Sequence, residues 1–250
     1  MPGPVNQITV LGVDGWLCRL GRLVCPPRCL VCTEAGAEGR DLCASCAAAL
    51  PWNRHACRRC ALPLAGPVPD HAAGDAPVCG ACLQRPPPLD AVHAACVYAF
   101  PVDRLLPRFK FHRDLAAGRL LAQHMAEAFA PLPRPDALLP IPLHRSRLRA
   151  RGYDQALELA RPLGRALGLP VLDDALLRHR ATAQQSRLDA RQRQRNLRGA
   201  FVLSQRPALP AHVALVDDVM TTGATLHAAA AVLRRAGVVR VEAWVAARAP

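Results

Sequence analysis

The sequence predicts an α/β protein: a parallel sheet domain preceded by a small domain in which metal stands in for a hydrophobic core. Three observations lead there. Val213-Ala214-Leu215-Val216 is a short apolar run, β-branched at its ends, of the kind buried on both faces of a parallel sheet. It passes through Asp217-Asp218 and Thr221-Thr222-Gly223-Ala224-Thr225 into helical spacing at Leu226, Ala229, Ala230 and Leu233, closed by Gly237. Upstream, eight of the 11 cysteines fall into four C-x-x-C pairs.

The strand, acidic pair, hydroxyl loop and helix form a unit with chemical content. Ligands of open α/β sheets sit at the carboxyl ends of the strands. Hydroxyls and free N–H groups at a helix N-terminus make an anion site. Carboxylates just ahead of it repel an anion, so they suit sugar hydroxyls or a hydrated Mg²⁺ beside a second phosphate. Phosphoribosyl pyrophosphate carries a phosphate, vicinal hydroxyls and a metal-binding diphosphate, and meets all of these demands. The competing reading, an ordinary strand with an acidic turn, accounts for Asp-Asp but not for the whole string.

At 250 residues the chain has length for one large domain or two smaller ones. No early run has the length of a membrane span or the pattern of a signal peptide, so a cytoplasmic protein without membrane insertion is expected. The formal charge is +13, from 32 basic and 19 acidic residues. Eight thiolates on two zinc ions would offset about four of those charges. A basic surface fits phosphate-rich partners without choosing between a small substrate and nucleic acid.

Residues 1–24 read as an N-terminal helix with an imperfect stripe of Ile8, Leu11, Trp16, Leu17, Leu20 and Leu23. Residues 25–85 read as a double zinc ribbon, with Cys29, Cys32, Cys43, Cys46, Cys57, Cys60, Cys79 and Cys82 as ligands. Each C-x-x-C can present two thiolates from one tight turn, and two turns complete an all-sulfur tetrahedron. The order favours two consecutive sites and two structural Zn²⁺, although a crossed pairing also satisfies the spacing. Cys18, Cys25 and Cys96 are left as apolar thiols, and His55 and His71 as loop residues. Residues 86–90, with Pro86-Pro87-Pro88, form the linker to a second domain over 91–250.

Within that domain, strands are expected at 91–99, 137–143, 176–179 and 240–246, and helices at 102–110, 115–129 and from Gln155 to Gly168. Lys110 is the only lysine of the chain, which fits a place for a compact ammonium where a planar guanidinium would not serve. Arg145, Arg147, Arg149 and Arg151 alternate and cannot share one helical face, so a loop around an anion such as a diphosphate is expected. The polar, Arg-rich segment 180–198 reads as a lid or a basic nucleic-acid surface.

These strings together resemble the ComF family: PPRCLVC, LCASC, LPWN, CRRC, LPL and CGAC, then FKF, PIPLHRSRLRARGYDQ, TAQQSRLDARQRQRN and VDDVMTTGAT. The resemblance covers nearly the whole chain from about residue 20. It departs from the family at Asp154, where Asn is usual, and at Met220, where a β-branched or aromatic residue is commoner. Asp154 either weakens a diphosphate contact or caps the helix that follows. The resemblance implies a type I phosphoribosyltransferase fold, a Rossmann-like parallel sheet with a hood. It also implies Mg²⁺-phosphoribosyl pyrophosphate as ligand, and a part in natural transformation with single-stranded DNA and competence proteins as partners.

On this reading Met220, Thr221, Thr222, Gly223, Ala224 and Thr225 hold the 5′-phosphate, and Asp217 and Asp218 the ribose hydroxyls. Arg145 and Arg147, with Lys110, face the diphosphate. If the protein is a phosphoribosyltransferase, Asp217, Asp218 and Lys110 carry catalysis, by charge and position rather than by covalent chemistry. No residue declares itself as a base-recognition group, so the sequence does not decide turnover. The alternative is a non-enzymatic adaptor of DNA uptake whose zinc ribbons and arginines bind nucleic acid, although 4% aromatic content supplies few stacking platforms.

Overall fold

The computed structural model describes residues 26–37, 39–66, 77–179, 199–204 and 209–250. The readings for residues 1–24, Cys18, Cys25, His71 and the 180–198 segment lie outside them. The chain divides after Ala48 into two compact units.

The first unit is built on turns. The N–H of Thr33 donates to the Cys29 carbonyl at 2.9 Å, closing the first cysteine turn, and the N–H of Cys29 donates to the Glu34 carbonyl at 2.8 Å. A one-turn helix, α1 (Ala44–Ala48), carries Cys46 on its buried side.

The second unit holds a four-stranded parallel sheet. Its strands are β1 (Ala91–Val97), β2 (Ala137–Pro140), β5 (His212–Met220) and β6 (Arg240–Arg248), in the order β1-β6-β5-β2. Strands β3 (Leu176–Arg178) and β4 (Phe201–Leu203) pair separately as an antiparallel ribbon. The central pair runs in register from His212↔Arg240 to Met220↔Arg248. Val213 to Val216 are fully buried, as are Val241 and Ala243 to Val245, because each face of the sheet is covered. Pro140 is tolerated in β2 because that strand is a sheet edge.

The helices are α2 (Gly80–Gln84), α3 (Val102–Phe111), α4 (Leu115–Phe129), α5 (Arg145–Arg151), α6 (Gln155–Leu167) and α7 (Ala224–Arg235). Helix α4 packs on β1 and β6, α6 packs on β5 and β2, and α3 packs on α4. On this face Trp244 lies against Phe129, with ring centroids 5.0 Å apart. Helix α7 buries Leu226, Ala229, Ala230 and Leu233 in a core shared with Val213, Leu215, Val241 and Phe201.

The other sheet edge, β1, is extended by the segment after Ala48. The N–H of Val97 donates to the Pro51 carbonyl at 2.8 Å, that of Asn53 to the Ala95 carbonyl at 3.1 Å, and that of Val92 to the Arg58 carbonyl at 2.8 Å. The second pair of cysteine turns therefore grows directly out of the edge of the α/β sheet. Cys96 is buried in β1, where burial pushes its thiol up to about 12. His124 is also buried, edge-on to Trp52 at 5.7 Å.

Two local expectations change. The arginine stretch is helix α5, not a loop. The His144 ring caps it by accepting from the Ser146 N–H at 3.2 Å, and Gly152 ends it at φ 89°. Four-residue spacing then sorts the arginines into pairs. Arg145 and Arg149 are exposed, whereas Arg147 and Arg151 are half-buried. The strand before the acidic pair also runs on: β5 continues to Met220, so both aspartates stand inside it.

Candidate functional site

Because β5 is extended at Asp217 and Asp218, the two side chains point to opposite faces of the sheet. Asp218 points to the face of α3. It is buried at 5% exposure and meets the Lys110 ammonium, whose Nζ lies 3.0 Å from Oδ1 and 2.8 Å from Oδ2. Asp218 Oδ1 also accepts from the Val219 N–H at 2.7 Å. Lys110 thus reaches across 108 residues of sequence to the acidic pair.

Asp217 is only partly exposed and accepts from the Asp218 N–H at 2.9 Å. Burial, reinforced by the neighbouring Asp218 charge, pushes its carboxyl up to about 7, with Lys110 opposing. Such a group is held short of cations and is well matched to one arriving with a ligand.

The strand opens into a loop with exposed Thr221 and Thr222, followed by buried Gly223 at φ 74°, the N-cap of α7. The N-cap is a glycine and brings no side chain to that helix start, the kind of terminus whose N–H groups suit an anion. A Cβ on Gly223 would stand 2.5 Å from the Met220 methyl group and 2.9 Å from the His227 ring, so glycine is required on both counts. Met220 itself is buried, and Ala224 and Thr225 form the first turn of α7.

Arg147 approaches from α5 and Arg178 from β3. Burial, together with the nearby Arg147 charge, lowers Arg178 to about 10, while Asp217 and Asp154 oppose that shift. Burial followed by the Arg151 charge lowers Arg147 as well. Arginines whose charge is disfavoured by burial and by one another are suited to an anion that restores the balance. Arg145 lies exposed at the start of α5. Asp154 is the N-cap of α6: it accepts from the Leu157 N–H at 3.3 Å and from the Leu143 N–H at 2.8 Å. Arg178 was not singled out in the sequence, although one arginine in an otherwise apolar strand was a usable signal. Arg151 was read only as part of the basic loop. Its guanidinium lies 5.7 Å over the exposed Phe111 ring and bonds Gln155 at 2.6 Å.

The cysteines form two tetrads in consecutive order, Cys29/Cys32/Cys43/Cys46 and Cys57/Cys60/Cys79/Cys82, with ligand atoms in each within 4.8 Å of one another. Cys32 and Cys43 sulfurs are 3.5 Å apart, Cys32 and Cys46 3.8 Å, and Cys60 and Cys79 3.7 Å. A zinc tetrahedron with ~2.3 Å Zn–S arms has edges of about 3.8 Å. The fit is to metal rather than to disulfides, and every described cysteine is a free thiol. Burial opposes the Cys29 thiolate, yet backbone N–H groups of Cys43, Cys32 and Val31 outweigh it and hold the thiol at about 6. Cys79 is likewise held at about 7, where the Cys82 N–H and the Cys57 thiol overcome burial. Each tetrad thus has a member ready to ligate near neutral pH. The two sites fit two structural zinc ions.

These features define a class: a phosphoribosyltransferase-like α/β protein carrying a double zinc ribbon. Residues 20–83 match the double zinc ribbon domain family. The chain is 36% identical over 249 residues to the DNA utilization protein YhgH of Salmonella typhi, covering 97% of this chain and 99% of the relative. It is 35% identical over 233 residues to the protein of that name from Escherichia coli strain K12, covering 90% and 99%. Competence protein F of Haemophilus influenzae is 37% identical over 179 residues, covering 68% of this chain and 78% of that protein. The chain belongs to the ComF family. Among the described residues, no helix is long and apolar enough to cross a membrane.

Proposed function

We propose that this is a cytoplasmic protein of DNA utilisation that binds Mg²⁺-phosphoribosyl pyrophosphate at the carboxyl end of β5. One observation carries the reading: a partly buried acidic pair near the end of β5 stands one short loop ahead of a helix whose N-cap is a left-handed glycine. The α7 N–H groups and the hydroxyls of Thr221, Thr222 and Thr225 bind the 5′-phosphate. Asp217 and Asp218 receive the ribose hydroxyls, and Arg147, Arg178 and Lys110 receive the diphosphate, with Arg145 at the rim. The acidic pair Asp217 and Asp218 would face a hydrated Mg²⁺ carried by the ligand, which would offset the diphosphate charge. The part in DNA uptake is supported by the names of the relatives, one a competence protein and the others DNA utilization proteins.

Calorimetry with Mg²⁺ and phosphoribosyl pyrophosphate tests the reading. Binding is expected for the natural chain and a loss of at least about tenfold, ~1.4 kcal/mol, for Asp217→Ala. No heat of binding, or equal binding by the variant, overturns it. A purely adaptor function would instead show single-stranded DNA binding that falls steeply with salt and is indifferent to Asp217→Ala.

A further inference from the structure

Arg248 belongs to none of the sequence motifs, yet it joins the two kinds of site. It is the last residue of β6 and is nearly buried, at 9% exposure. Its Nε donates to the Cys60 carbonyl at 2.9 Å, and its Nη1 donates to the Met220 carbonyl at 3.2 Å. Cys60 is a member of the second tetrad. Met220 is the last residue of β5, immediately before the Thr221–Gly223 loop. The Ala249 N–H secures the same Met220 carbonyl at 3.0 Å. The Met220 methyl group in turn occupies the space beneath Gly223 where a Cβ would stand. One guanidinium thus spans from a metal knuckle to the floor of the phosphate loop. The other side of the same knuckle is tied down as well, since Asn53 Nδ2 donates to the Ala61 carbonyl at 2.9 Å.

Charge adds a reason for arginine at this position. Four thiolates on one Zn²⁺ leave about −2 on the cluster. Burial disfavours the Arg248 charge, and the Cys60, Cys79 and Cys82 sulfurs oppose that by attracting it. A planar fork donates from two separate nitrogens in fixed directions, here Nε to Cys60 and Nη1 to Met220. A lysine ammonium carries its donors on one nitrogen and would have to lie within reach of both carbonyls from a single point.

We propose that Arg248 is a positioning residue that couples the second zinc tetrad to the phosphate loop, so that metal and phosphorylated ligand bind cooperatively. The ligand half of this statement rests on the reading of the loop given above. The mechanical half does not. Zinc fixes the Cys57–Ala61 knuckle, the knuckle fixes Arg248, and Arg248 fixes the turn from which the loop departs. By linkage, a ligand that orders the loop must tighten the hold on zinc by the same factor.

Hydrogen exchange on the full-length protein tests the mechanical half without ligand. In the natural chain, removing zinc with a chelator lowers protection of amides 219–225 by about tenfold, within the usual range for coupled sites. Cys79→Ser does the same without a chelator. Arg248→Met shows the lowered protection while still holding two zinc ions by metal analysis, and chelation adds nothing further. Arg248→Lys recovers part of it. Natural protection in Arg248→Met, or a loss that spreads equally over α4 on zinc removal, overturns the proposal. Calorimetry tests the ligand half: zinc removal weakens phosphoribosyl pyrophosphate binding about tenfold in the natural chain and less than about twofold in Arg248→Met. If the exchange results hold and the natural chain binds no phosphoribosyl pyrophosphate, the ligand reading has failed and the coupling stands.

Discussion

The Lys110 ammonium straddles the Asp218 carboxylate, 3.0 Å from one oxygen and 2.8 Å from the other, and the aspartate side chain is only 7% exposed. Lys110→Met leaves that carboxylate buried beside Asp217 with no cation at contact distance. Breaking a fully buried pair costs about 3–5 kcal/mol, and the partial exposure of Lys110 reduces this to about 1–3 kcal/mol. Denaturant unfolding reads the loss directly. Adding Asp218→Asn should recover most of it, because the double variant no longer buries an unpaired charge.

Asp217 carries the opposite kind of electrostatic load. Its carboxyl is raised from 3.8 to about 7 by burial and by Asp218, so the folded state binds a proton more readily than the unfolded chain. Stability therefore falls as pH rises from about 4 to about 7, and the penalty is complete above that range. Asp217→Asn keeps the oxygen that accepts from the Asp218 N–H and removes the charge. The variant should melt with the natural chain near pH 4 and above it at pH 8, by about 2–4 °C for each kcal/mol recovered. The same substitution should abolish ligand binding. A site that is stabilised by losing its own charge is one kept for function.

Features written in adjacent residues were legible in the sequence; features written across the chain were not. The Val213–Val216 strand, the Thr221–Thr225 loop and α7 follow from local periodicity, and the eight cysteine ligands follow from their spacing, whereas their consecutive rather than crossed pairing is set by the fold. Helix α5 escaped because its cap is the His144 ring rather than Ser, Thr, Asp or Asn, and because alternating arginines mimic a loop. Arg178 and Arg248 escaped because their meaning lies in distant partners. The Arg248 contact with Cys60 closes a gap of 188 residues. Lys110 was legible through composition, as the single lysine of an arginine-rich chain, and through the FKF string of the family resemblance. Its partner Asp218 could be seen only once α3 was folded against the sheet.

Metal removal should separate the two tetrads. Cys29→Ser and Cys57→Ser each remove one ligand from a different site, so metal analysis should fall from about two zinc ions per chain to about one in both. The stability consequences differ. The Cys57 tetrad sits in the unit that begins at Ala49, where Arg58 and Asn53 bond to β1. Cys57→Ser should therefore lower the main calorimetric transition of the α/β sheet. Cys29 lies in the preceding unit, and its replacement should leave that transition in place. Equal shifts of the main transition in both variants would contradict the division.

Gly223→Ala should separate loop geometry from loop chemistry, since alanine removes no donor and adds no charge. The residue stands at φ 74°, a conformation alanine adopts only under strain. Its Cβ would also press on the Met220 methyl group at 2.5 Å and the His227 ring at 2.9 Å. Methionine can swing aside; the half-buried His227 ring, on the first turn of α7, has less room. The strain and the clash together should cost about 1–3 kcal/mol in unfolding experiments. The N–H groups of the turn, to which the proposal assigns the phosphate, then rotate with it, so affinity for phosphoribosyl pyrophosphate should drop by at least about tenfold, ~1.4 kcal/mol, while zinc stays at two ions per chain. Unchanged affinity in a variant with the expected loss of stability would show that the ligand phosphate does not rest on this turn.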